Sequence, residues 1–193
     1  MMSREAAFQG FPVLETVRLL LRQIALTDAE AIFSIKSLPN VTGKYGRKPH
    51  ISMNRTEEYI KEIQKDYSEG KTLFWCIIVE ETNLIAGTAC LWNMDLESDI
   101  AELGYELHPE YWRKGIMTEA LEALIRWAFQ EFELNRIEAC PLSSNTAPVG
   151  ILLKLGFTIE GTLRERIKFN GVFEDQLYLS VLREEWARKN SMK

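Results

Sequence analysis

Apolar periodicity along the 193 residues predicts an α/β (α+β) protein: a mixed, mostly antiparallel twisted sheet of about seven strands, flanked by helices. Three observations lead there. Strand-like apolar runs recur at 14–22, 73–80, 84–96, 100–108, 136–142, 157–169 and 172–182. The last two meet at Asn170-Gly171, a dipeptide suited to the left-handed residues of a two-residue hairpin. Between 115 and 132 the period becomes helical, with Ala120, Leu121, Leu124, Ile125, Ala128 and Phe129 on one stripe. The strands on either side of that helix should form a parallel pair with a right-handed crossover.

Taken in order, residues 1–10 read as a flexible N-terminal arm and 11–193 as a single domain. After the first strand, Thr27 as N-cap with Glu30 three residues later matches a capping box, opening a helix that runs to about Leu38 before Pro39. Residues 39–54 hold glycines, prolines and cations and read as a loop. A second helix over 55–69 places Tyr59, Ile63 and Tyr67 at helical spacing. Glu81-Thr82-Asn83 joins two strands as a short hairpin. In the run 100–108, Leu103, Tyr105 and Leu107 alternate with Glu102, Gly104, Glu106 and His108, and Gly104 marks a bulge or a close backbone approach. Pro148 suits the first turn of a helix that Gly156 caps, and 183–189 closes the chain as a short helix.

Composition excludes several classes. With 46% hydrophobic and 26% charged residues, the chain can build a core and lies far from the disordered range. A net charge of −5 argues against a general nucleic-acid binder. Cys76, Cys90 and Cys140 lack metal-ligand spacing and read as buried thiols, so no metal is expected. No leader-like or membrane-spanning apolar run is present, which points to a cytoplasmic protein without a membrane partner. The long final hairpin offers edges on which a homodimer could form.

The most informative stretch is Glu110-Tyr111-Trp112-Arg113-Lys114-Gly115-Ile116-Met117-Thr118-Glu119-Ala120-Leu121. It follows a strand and a proline and opens a helix. Such a helix start carries unpaired N–H groups and partial positive charge, a seat for phosphate. Gly115 lets the main chain approach an anion, and Arg113 and Lys114 add full charges. Cations there oppose the helix dipole, and that mismatch points to a bound anion.

The same stretch, with Ala101-Glu102-Leu103-Gly104-Tyr105-Glu106-Leu107-His108-Pro109 before it and Asn135-Arg136-Ile137-Glu138-Ala139, Asn145-Thr146-Ala147, Lys154-Leu155-Gly156-Phe157 and Glu160-Gly161-Thr162-Leu163-Arg164 after it, resembles the GNAT acyl-CoA-dependent N-acetyltransferases. Within that family it is similar to the RimJ/RimL-like branch of ribosomal-protein N-terminal acetyltransferases. The resemblance implies acetyl-CoA as co-substrate. Trp112, Arg113, Lys114, Gly115, Ile116, Met117 and Thr118 would wrap its diphosphate, while Leu107, His108 and Asn145 would meet the pantetheine amides. It also implies an amine acceptor, either a protein N-terminus or a small molecule such as a polyamine or aminoglycoside; a non-catalytic acyl-CoA-binding module is the third reading. Three departures stand out: Trp112 and Met117 at the ends of the phosphate loop, Pro148 where a serine is frequent, and Leu152 and Leu153 where many relatives carry an acidic tyrosine.

For the chemistry, a carboxylate must take the proton of the attacking amine. Glu106 and Glu102 fall on one face of a regular strand and are the candidate bases. His108 before Pro109 suits a main-chain role, and His50 a surface one. The acceptor cleft is expected between 39–54, with Lys44, Arg47 and Lys48, and the late hairpin, whose Glu174 and Asp175 could hold a cationic amine.

Overall fold

The computed structural model describes residues 4–191, and its centre is one eight-stranded sheet in the order β1-β2-β3-β4-β5-β6-β8-β7. Its strands are β1 (Leu14–Glu15), β2 (Leu19–Gln23), β3 (Leu73–Val79), β4 (Leu84–Asp95), β5 (Ile100–Leu107), β6 (Arg136–Ala139), β7 (Thr158–Phe169) and β8 (Val172–Leu182). Every neighbouring pair is antiparallel except β5 with β6. The expected single strand over 14–22 is two strands, because the chain reverses at Thr16-Val17-Arg18 and Leu14 pairs back onto Leu21. Glu119 holds that reversal: its carboxylate accepts from Thr16 Oγ1 at 2.6 Å and from the Arg18 main-chain N–H at 3.0 Å.

Helices cover both faces. They are α1 (Arg4–Gln9), α2 (Ala29–Lys36), α3 (Pro39–Thr42), α4 (Met53–Ser68), α5 (Ile116–Gln130), α6 (Thr146–Leu155) and α7 (Arg183–Ser191). Part of the expected loose arm is therefore helical. Ala7 is fully buried, and the Tyr67 hydroxyl donates to its carbonyl at 3.1 Å. Thr27 is exposed and does not cap α2. Asp28 organises that turn instead, accepting from the Ala25 N–H at 2.8 Å and from both Arg22 terminal nitrogens at 2.8 Å. Burial opposes its charge, but the Arg22 and Ala25 bonds hold the Asp28 carboxyl below its ordinary range. Pro39 does not merely end a helix: it opens the short α3, so the expected loop over 39–54 is partly helical. Ser52 caps α4 through the Arg55 N–H at 3.3 Å.

Strand alternation divides the core in two. Trp75, Ile77, Leu91 and Leu103 face α5, whose apolar stripe from Ile116 to Phe129 packs on them. Phe74 and Cys76 face the other way, onto Ile32 of α2 and Ile60 of α4. Asn170 and Gly171, at φ 49 and 84, form the left-handed turn between β7 and β8. Among the described residues no helix is long and apolar enough to cross a membrane.

Trp75 anchors the larger half-core. It is fully buried, its indole N–H donates to the Pro12 carbonyl at 2.7 Å, and the Phe11 and Trp127 rings lie 5.2 and 5.6 Å away. Trp75→Ala should lower the unfolding free energy by about 3–5 kcal/mol in urea titrations. Ile51→Ala, at a residue 93% exposed, should shift it by less than about 0.5 kcal/mol.

Candidate active site

The parallel contact between β5 and β6 is brief. Ile100, Ala101 and Glu102 pair with Arg136, Ile137 and Glu138, and then the strands part. The His108 N–H bonds the Ala86 carbonyl at 2.8 Å, which turns the even-numbered residues of β5 toward β4. The main-chain groups of Tyr105 and Leu107 therefore face the gap. The Leu107 carbonyl accepts from the Trp112 indole at 2.8 Å, leaving Tyr105 the residue that offers both its N–H and its C=O there. A cavity of about 850 Å³ runs through this gap, touching Leu103, Tyr105 and Leu152 on the α5–α6 side and Lys36, Tyr59 and Glu106 on the α2–α4 side. The split in the sheet thus joins the two faces of the molecule.

Past the end of β5, where the Trp112 indole ties the loop to the Leu107 carbonyl, Gly115 sits at φ 77 and caps α5, and Arg113 is also left-handed at φ 60. The first hydrogen bond of the helix runs from the Glu119 N–H to the Gly115 carbonyl at 3.1 Å. Among the described residues, none of the N–H groups of residues 113–118 donates within the chain. Ile116 and Met117 turn their side chains into the core, so the bulk of Met117 lies away from the phosphate seat. Arg18 braces the loop, donating to the Lys114 carbonyl at 3.1 Å and pairing with Glu119 at 2.6 Å. These features fit a diphosphate followed by an amide-bearing arm: Arg113 to Thr118 would hold the first, Tyr105 and Leu107 the second.

On the opposite face lies a buried polar cluster. Glu106, 8% exposed, pairs with Lys36 at 2.9 Å and accepts from Tyr45 at 2.6 Å and Thr88 at 3.2 Å. The Lys36 ammonium also lies 4.5 Å from the Tyr59 ring centre and 5.4 Å from that of Tyr45. Burial disfavours that charge, but Glu106 and the two tyrosines outweigh it and hold Lys36 protonated well above the ordinary lysine range. Glu102 differs. Burial, reinforced by the charge of Glu138, pushes its carboxyl above the usual range against a hydrogen bond with Asn93. A two-residue bulge in β4 at Asn93-Met94, with Asn93 at φ 47, aims that amide.

β5 is regular across Gly104, so Glu102 and Glu106 do share a face; the glycine serves close approach, since a Cβ there would lie 2.8 Å from Cys90 Sγ. Both carboxylates line the cavity. His108 does not: its N–H bonds Ala86, its carbonyl accepts from Tyr111, and its ring accepts from the Glu110 N–H at 3.4 Å. Asn145 stands at the gap with its amide on the Lys44 carbonyl at 3.0 Å. His50 is half-buried against Tyr59 rather than a surface residue, and burial followed by Lys36 and Arg55 lowers its basicity. Glu174 and Asp175 stay outside the cavity, Asp175 accepting from the Glu165 N–H at 2.8 Å. Burial pushes the Cys140 thiol up to about 12, too weakly ionised for a nucleophile. Sequence reasoning missed Lys36, Tyr45, Arg18 and Tyr105. A lysine among the apolar residues Ile32, Phe33 and Ile35 was the available signal for the first.

A sheet split in this way, followed by a helix start with free amides, fits an acyl-CoA-dependent acyltransferase. The chain belongs to the GNAT family: the model of the acetyltransferase (GNAT) domain matches residues 18–158. It is 36% identical to YoaA, an uncharacterized N-acetyltransferase of Bacillus subtilis (strain 168), over 90% of this chain and 98% of that one. It is 26% identical to the [ribosomal protein uS5]-alanine N-acetyltransferase of Escherichia coli (strain K12), over 65% of each. A crystal structure of a probable acetyltransferase superposes with a TM-score of 0.80 at 28% identity, covering 92% of this chain and all of the other. The protein is therefore an acetyl-CoA-dependent N-acetyltransferase.

Lys36→Met strands the Glu106 charge, and Glu106→Gln strands that of Lys36. Each change alone should destabilise the fold by about 3–5 kcal/mol, whereas the double variant should recover much of the loss. Urea unfolding of the four proteins checks this coupling.

Proposed function

We propose that the protein transfers an acetyl group from acetyl-CoA directly to the α-amine of a protein N-terminus, as a member of the ribosomal-protein branch of the family. The observation that carries this reading is the passage through the sheet between β5 and β6. It would let a thioester approach from the α5 side while an amine arrives from the α2–α4 side. A second groove of about 1470 Å³ continues from the amine side across α4, sharing Lys36, Tyr45, Arg47, Tyr59 and Trp92 with the first cavity. An open channel of that size suits a polypeptide end better than a small polyamine. Likeness to the uS5-alanine N-acetyltransferase supports the same acceptor.

The chemistry follows from the neighbours of the gap. Glu102, poised above the ordinary carboxylate range and without an ion pair among the described residues, takes the proton of the incoming amine, directly or through water. Glu106 is already committed to Lys36 and Tyr45, so its part is to order the amine side. The Tyr105 N–H faces the gap and would hold the thioester oxygen as charge develops on it. Burial pushes the Tyr105 phenol up, so it is a poor acid toward a departing thiolate, and water protonates that sulfur.

Glu102→Gln should lower kcat/KM by about 10²–10⁴. In the wild type the acid limb of kcat/KM should lie above the ordinary carboxylate range, because Glu102 must lose its proton to act. That limb should vanish from the residual activity of the variant. Thiol release from acetyl-CoA, followed across pH with an N-terminal peptide as acceptor, measures both; an unaltered profile in Glu102→Gln would remove Glu102 from the reaction.

A further inference from the structure

The acceptor side of the cavity carries far more positive than negative charge. Lys36, Lys44, Arg47, Arg166 and Lys168 line it against only two carboxylates, Glu102 and Glu106. Lys36 and Glu106 cancel each other at 2.9 Å. Four cations remain against Glu102. Among the described residues, none of those four makes an ion pair with a carboxylate, although Lys168 lies 5.0 Å from the Phe173 ring centre. In a chain of net charge −5, four unpaired cations at one mouth are a concentrated exception.

Two distant segments are brought together to make this rim. Lys44 and Arg47 flank Gly46, which packs so closely on β7 that a Cβ would lie 3.0 Å from Ile167 Cγ2. Asn145 ties the same loop to the start of α6 through the Lys44 carbonyl. In β7, Arg164, Glu165 and Arg166 stand opposite Asp175 alone, a bulge that breaks the strand's alternation at Arg166 and before Lys168. Farther out the charge evens: the second groove adds Lys48, Arg55 and Lys71 but also Glu62, Asp66 and Glu97, and Arg55 is already paired with Glu62 at 3.0 Å.

We propose that the acceptor is an acidic N-terminal peptide, whose amine reaches the gap while carboxylates at the residues directly after it meet Lys44, Arg47, Arg166 and Lys168. This rests on the reading of the gap as the acetyl-transfer site and narrows the acceptor it takes. The excess charge is confined to the mouth, so the requirement applies to the first few residues and fades beyond them. Polycationic amines, polyamines and aminoglycosides among them, are disfavoured by the same field.

The test uses short peptides sharing one first residue, with glutamate, glutamine or lysine at the three positions that follow, and spermine as a polycation. Thiol release from acetyl-CoA gives kcat/KM for each, and calorimetry gives CoA affinity. The glutamate peptide should exceed the lysine peptide by at least about tenfold, with an advantage that shrinks as salt rises. Arg166→Glu combined with Lys168→Glu should abolish or invert that preference. Equal or faster turnover of the lysine peptide or spermine, alongside normal CoA binding, overturns the acidic acceptor and leaves the acetyl-transfer site standing. Failure to bind CoA and to release thiol with every amine overturns the site reading, and this proposal with it.

Discussion

Three residue pairs hold β5 to β6, and everything functional depends on their being so few. A longer ladder would join the two strands and close the sheet. Because the strands part after Glu102 and Glu138, the main chain of β5 turns hydrogen-bonding groups toward a space rather than a neighbour. Main-chain groups facing such a space must be met by water or by a ligand that carries matching amides. The rest of the molecule keeps the split in place. Glu119 and Arg18 fix the loop at its mouth, and Arg136 clamps Glu160 at 2.8 and 2.6 Å, tying β6 to β7 across β8.

The gap also explains why the polar groups lie where they do. One face of the sheet is packed by α5 and offers main-chain amides and a helix start. The other carries Glu106, Lys36, Tyr45 and Tyr59 in a buried network in which each charge answers another. Such a network adds little net stability, since desolvation consumes most of the Coulomb energy. Its consequence is order: it fixes Tyr45, and with it the loop bearing Lys44 and Arg47, against β7. Two of the chain's left-handed residues, Arg113 in the loop before α5 and Asn93 in the β4 bulge, belong to the segments described above.

Much of this was legible in the sequence because it rests on local patterns. The helix starting at Gly115, the Asn170-Gly171 turn, the Gly156 cap at φ 104 and the shared face of Glu102 and Glu106 each follow from periodicity or from glycine's freedom. The split of the first strand was not legible, because it depends on Glu119, about a hundred residues away, reaching Thr16 and Arg18. Nor was the pairing of Lys36 with Glu106, which needs a helix and a strand from opposite ends of the same half-core. His108 reads as a pantetheine partner from its place after β5, yet the Ala86 carbonyl and the Tyr111 N–H already engage its main chain. Parity along β5 decides that matter, and parity depends on a register with β4 that sequence alone leaves open.

The central claim is that amides at the start of α5 hold the diphosphate and that the β5 side of the gap holds the arm behind it. Backbone amide resonances recorded during a titration with CoA test this most directly. Shifts should concentrate at Arg113 to Thr118 and at Tyr105 and Leu107, while Phe173 and its neighbours in the distal hairpin stay still. Saturable binding that leaves the 113–118 and 105–107 amides unmoved would contradict the account.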